Sequence, residues 1–301
     1  MRHYPANATA GPSTRPSGHL GVYLSDPSRP PKGNVHLIMG NYHGAASETV
    51  PDRGGEQQDS PPERFFFVHM LKTAGTAMLM RLQEQFGPGA VYPDASDGDL
   101  ATVAPQMVTG QLLARWAVRG DDIRLIIGHL PLCTTELLDV PFTTLTALRE
   151  PVARTLSFLQ YHRVLVPADR DTPLEAIYDD PTRFSWLIHN HMTKMLSLTV
   201  DEMTDDMLTP VEFTPQRLER AKQNLAGVAA VGTQEQFEGF CAALDARFGW
   251  QVYRGGPRYP GAGRPPISES FRRRIAEDNA MDAELYDYAC ELIATRGFLR
   301  D

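Results

Sequence analysis

What most constrains this chain is a set of short, continuous apolar runs, each followed by apolar residues at helical spacing. "RFFFVHM" (64–70), "IRLIIGH" (123–129), "FTTLTAL" (142–148) and "VAAVGT" (228–233) are too short for helices and lack the alternation of a half-exposed strand. They read as strands buried on both faces, the pattern of a parallel sheet. After the first run Met78, Leu82 and Phe86 recur on one helical face, and Gly87-Pro88 stops them. Val152, Leu156, Leu159 and Arg163 mark a helix after the third run, with Pro151 in its first turn, where a missing N–H costs little. Phe237, Phe240, Cys241, Leu244 and Phe248 form a stripe after the fourth. Near the C-terminus Leu285, Tyr288, Leu292 and Ile293 form another, in a helix that Asp282 would cap and Gly297 would end. Strands alternating with helices predict an α/β fold, three-layer α/β/α with a central parallel sheet.

The 301 residues divide unevenly. Residues 1–62 are rich in Pro, Gly, Ser and Asn around one apolar island at 35–40, and read as a flexible, largely disordered leader. Residues 63–301 form the single globular domain, whose core the 42% hydrophobic content is ample to fill. The formal net charge of -8 disfavours a general nucleic-acid binder, so any anion must meet a local cluster of donors. Cys133, Cys241 and Cys290 are odd in number and far apart, which supports neither a disulfide framework nor a zinc site. With no long apolar span and no secretion signal, the expectation is a soluble protein of the cytoplasm.

The turn after the first strand carries the chemistry. A strand-to-helix turn leaves the first N–H groups of the helix unpaired, and their dipoles sum to a partial positive charge. In "LKTAGTA" Ala74 and Gly75 permit close approach, Thr73 and Thr76 bring hydroxyls, and Lys72 brings a point charge. Such a turn suits a phosphate or sulfate; read alone, it is also a plain turn with a threonine cap. It is not a Walker A loop, which needs its lysine after the last glycine; here Lys72 precedes Gly75.

"FFFVHMLKTAGTAM" resembles the 5′-phosphosulfate loop of sulfotransferases, in the branch related to carbohydrate sulfotransferases, with Leu71 at the usual proline and Ala77 at the usual Ser or Thr. "LREPVARTLSFLQYHR" (148–163) is similar to that family's 3′-phosphate segment at every specified position. The resemblance spans about residues 63–296 and implies a P-loop NTPase-like sulfotransferase fold. It implies 3′-phosphoadenosine 5′-phosphosulfate (PAPS) as sulfuryl donor, no metal, and a hydroxylated sugar or glycolipid as acceptor. The loop Lys72, Thr73, Ala74, Gly75, Thr76 and Ala77 would hold the 5′ end, and Arg149 with Ser157 the 3′-phosphate. An arginine fork and a neutral hydroxyl suit phosphate oxygens. Arg154 would support the segment by pairing with an acid.

Sulfuryl transfer needs a held donor, stabilised charge on the leaving phosphate, and a base for the acceptor's proton. Lys72 is the candidate for the leaving oxygen and His129, ending a buried strand, for the base. His69, within the first strand, reads as structural; His162, His189 and His191 read as ordinary polar histidines, with His191 a possible neighbour of the acceptor. "NHMTKML" either touches substrate through Asn190, Thr193 and Lys194 or is a buried helix, and the loop 254–266 either closes over the adenosine or is plain surface. Two competing functions are a nucleotide-binding protein without catalysis and a nucleotide-dependent phosphotransferase, the latter lacking an evident acidic magnesium site.

Overall fold

The computed structural model describes residues 63–87, 89–94, 97, 104–253 and 267–300. The leader 1–62 and the loop 254–266 lie outside them. Among the described residues the fold is α/β around one five-stranded sheet, every pairing of which is parallel. The strands are β1 (Phe65–Val68), β2 (Val91–Tyr92), β3 (Leu125–Gly128), β4 (Thr143–Leu148) and β5 (Ala230–Thr233), in the order β2-β3-β1-β4-β5. Four coincide with the apolar runs. The two-residue β2 is too short to leave a pattern.

Helices cover both faces. In chain order they are α1 (Gly75–Phe86), α2 (Ala104–Met107), α3 (Thr109–Arg119), α4 (Pro151–Leu165), α5 (Leu174–Tyr178) and α6 (Pro181–Arg183), then a π-helical turn, Phe184–Ile188. After it come α7 (His191–Ser197), α8 (Pro215–Gly227), α9 (Phe237–Phe248), α10 (Glu269–Asp278) and α11 (Ala280–Arg296). Side chains alternate across a strand, so β1 feeds two cores. Phe65 and Phe67 join Met78 and Leu82 of α1 and Phe240 and Leu244 of α9. Phe66 and Val68 join Leu112 of α3, Met192 and Met195 of α7, Leu218 of α8 and Leu285 of α11. Phe66 and Phe67 are fully buried, each worth roughly 1.5–3 kcal/mol relative to exposure. A continuous apolar run is therefore what a strand serving two cores requires.

The register brings distant segments level. Val68 pairs with Gly128 on one side and with Thr146 on the other, and the buried Thr146 hydroxyl donates to the Val68 carbonyl at 2.9 Å. β1 is central, and the chain crosses over it between β3 and β4, which makes its carboxyl end the switch point where open α/β sheets bind ligands. The segments following β1, β3 and β4 carry Lys72, His129 and Arg149.

Candidate functional site

The loop after β1 bends through two left-handed residues, Lys72 (φ 68°) and Ala74 (φ 71°), neither of them glycine. Each left-handed non-glycine residue costs about 1–2 kcal/mol, so this geometry is held by its surroundings. Three hydrogen bonds hold it. The Thr73 hydroxyl donates to the Met70 carbonyl at 3.0 Å, Arg149 Nη1 donates to the Lys72 carbonyl at 3.1 Å, and the Leu71 N–H donates to His191 Nε2 at 3.3 Å. Gly75 is needed for space: a Cβ there would overlap the His69 ring. Helix α1 begins with no side-chain cap on Ala74 and no acid in its first turn. Among the described residues no hydrogen bond takes up the N–H groups from Ala74 to Ala77. Small residues, bare donors and a helix N-terminus thus coincide.

Thr73 differs from the expected hydroxyl donor, because its hydrogen is spent on Met70 and its side chain is buried. Thr76 keeps an exposed side chain, while Ala74 and Ala77 are half-buried. Lys72 Nζ lies 3.7 Å from the centre of the Tyr161 ring, a cation–π contact with α4. Tyr161 stands one turn beyond Ser157 on the same face of α4, and Ser157 is half-buried. Lys72, Arg149 and Ser157 therefore gather at one end and one side of the sheet. Glu150 caps α4 by accepting from the Val152 and Ala153 N–H groups, which fixes the segment in which Arg149 stands.

His129 follows β3 directly. Its N–H donates to the Gln106 carbonyl at 2.6 Å, an approach possible because a Cβ at Gly128 would meet that oxygen at 2.8 Å. Its Nδ1 lies 2.5 Å from the His69 carbonyl oxygen. A carbonyl only accepts, so Nδ1 bears the proton and Nε2 the lone pair, the tautomer of a base. Burial, with Lys72 nearby, lowers its pKa to about 4 against the bond to His69. The His69 and His129 rings lie 4.2 Å apart, and burial, then His129 and Lys72, holds His69 well below 6.5. His69, one residue past the end of β1, is buried, and its backbone carbonyl sets the His129 tautomer.

Other expectations need correction. Asp282 does not cap its own helix. It is fully buried within the first turn of α11 and accepts from the Met192 N–H, the Thr193 N–H and the Thr193 hydroxyl at 2.7–3.0 Å, capping α7 instead. Arg154 makes no ion pair among the described residues; its buried guanidinium donates to the carbonyls of Leu187 and Ile188. Lys194 donates to the Trp186 carbonyl at 2.8 Å, and burial brings its pKa down to about 8. Two buried cations thus hold three successive carbonyls at the end of the π-helical turn. The "NHMTKML" segment is a buried helix start, with Asn190, Thr193 and Lys194 all buried.

Of the remaining histidines, His162 meets Asp169 at 2.7 Å and His189 lies between Phe184 and Phe213. His191, read from the sequence as a polar histidine that could neighbour the acceptor, is fully buried against the loop, and its bond to the Leu71 N–H is the site contact that sequence reasoning missed. Among the described residues no cluster of three or more His, Cys, Asp or Glu could hold a metal ion, no helix is long and apolar enough to cross a membrane, and the three cysteines are free. No protein-family model matches the chain, and no curated protein matches it.

Proposed function

We propose that the chain is a PAPS-dependent sulfotransferase of the P-loop-like three-layer type, moving a sulfuryl group to a hydroxyl of a sugar or glycolipid. The observation that carries this is the meeting of two sequence segments that read as cradles for opposite ends of one nucleotide. Arg149 touches the Lys72 carbonyl, and the Lys72 ammonium rests on the ring one turn from Ser157. The N–H groups from Ala74 to Ala77 bind the 5′-phosphosulfate, and Arg149 with Ser157 binds the 3′-phosphate.

In the reaction the acceptor oxygen forms a bond to sulfur as the bond from sulfur to the bridging phosphate oxygen breaks. His129 Nε2 takes the acceptor's proton, and Lys72 with the helix N-terminus stabilises the charge gathering on the leaving phosphate. A His129 pKa of about 4 keeps the ring neutral near pH 7, and an anionic donor beside it raises that pKa towards the range of an efficient base. His129→Ala tests this directly. Sulfate transfer from the donor is expected to fall by ~10²–10⁴-fold, or about 3–5 kcal/mol of barrier, with donor affinity unchanged. A variant that keeps more than about a third of the wild-type rate is inconsistent with general-base work of that size.

A further inference from the structure

Behind the loop stands a group that the proposed chemistry does not use. His191 opens α7, fully buried, and its Nε2 accepts the N–H of Leu71, the residue before Lys72. A backbone N–H only donates, so Nε2 must carry the lone pair. The ring's one proton then sits on Nδ1, which is buried and has no partner among the described residues. Protonating Nε2 would set two N–H groups head to head and abolish the bond. Neutrality is favoured from every side. Burial holds the pKa well below 6.5, aided by Arg154 of α4, Lys194 of α7, His129 after β3 and His69 after β1. Asp282 of α11, the carboxylate at this start of α7, is engaged with Met192 and Thr193.

The backbone that presents His191 is itself fixed. Asn190 is left-handed (φ 42°, ψ 44°); its N–H donates to Asn279 Oδ1 at 2.9 Å, and its own Oδ1 accepts the Asp282 N–H at 3.0 Å. Helix α11 thus anchors the start of α7, and His191 passes that anchorage to Leu71. Arg149 holds the next carbonyl along, that of Lys72.

We propose that His191 is the strut that fixes the loop 71–77, acting only as a neutral acceptor, so that its protonation releases the loop. The consequence for nucleotide binding rests on the donor-site reading above; the strut itself is measurable without a ligand. On the full chain, nitrogen-15 shifts of the His191 ring should show Nδ1 protonated and Nε2 bare at about pH 7.5, and the Leu71 amide should exchange slowly. His191→Leu, of similar bulk but no acceptor, should speed that exchange by roughly 5- to 100-fold and weaken adenosine 3′,5′-bisphosphate binding in step. His191→Gln, which offers an acceptor oxygen, should restore most of both. A space-filling role would give the reverse order, with leucine tolerated and glutamine harmful, and would overturn the proposal. So would an Nε2 found protonated in the wild type, a measurement that needs no variant to fold. If leucine frees the Leu71 amide but the wild type binds no bisphosphate, the strut stands and the donor reading falls.

Discussion

At the scale of single residues, the site rests on backbone groups and on the side chains that pin them. Leu71 stands where the resembling sulfotransferase segment has proline, and so supplies an N–H that proline lacks; His191 accepts it. The turn at Leu71 is thus held from outside, through its N–H. Gly75 has the opposite need, since its missing side chain is what admits the His69 ring beneath the loop. Gly75→Ala is expected to displace that ring, lowering stability by ~1–3 kcal/mol in a denaturant titration, and to weaken nucleotide binding. Stability unchanged within about 0.5 kcal/mol would mean that the ring moves aside freely. Lys72, Gly75 and His129 stand out by their places at or just after apolar runs, whereas Arg149 and Ser157 are marked only by the resemblance of their segment to the sulfotransferase one. The role of His191 could not be read: its partner is 120 positions away, and no local pattern marks a histidine as an acceptor for a distant amide.

Among the elements, what the sequence made legible follows how local the cause is. Strands β1, β3, β4 and β5 and helices α1, α4 and α9 announce themselves by apolar runs, helical stripes and terminators, because burying those side chains is what forms them. Strand β2 has only two residues, and the π-helical turn depends on Arg154 and Lys194 reaching its carbonyls from other helices. Asp282 misleads for the same reason. Local capping rules assign an acid near a helix start to that helix, whereas its oxygens serve the start of α7. Asp282→Ala would leave Met192 and Thr193 without acceptors and remove the carboxylate nearest in effect to Arg154. The expected loss is ~3–5 kcal/mol of unfolding free energy, with Asp282→Asn milder. A loss below about 1 kcal/mol would show that α7 does not depend on this cap.

For the whole molecule, the parallel sheet gathers three neutral histidines, His69, His129 and His191, at one end, all with pKa values below 6.5. In the unfolded chain each would take up a proton near 6.5, so the unfolded state binds more protons below that pH and folding stability falls with acidity. The contribution is fully present above about pH 6.5 and is lost as pH drops towards the depressed folded values, about 4 for His129. Three such protons give a slope of up to ~4 kcal/mol per pH unit. Asp282, whose carboxyl is shifted upward by burial, acts in the opposite direction. A urea midpoint clearly lower at about pH 5.5 than at about pH 7.5 is expected; an equal or higher one would mean that these histidines are not buried neutral.

The central claim is that one bisphosphorylated nucleoside spans the loop at Lys72 and the helix carrying Ser157. Its most direct test compares the affinities of 3′-phosphoadenosine 5′-phosphate and adenosine 5′-phosphate for the wild type and for Arg149→Ala. Charge-assisted bonds to the 3′-phosphate should favour the first nucleotide by roughly 10- to 150-fold in the wild type, and the alanine variant should lose most of that preference. Equal affinity in the wild type, or an Arg149→Ala protein that weakens both nucleotides alike, would contradict the account.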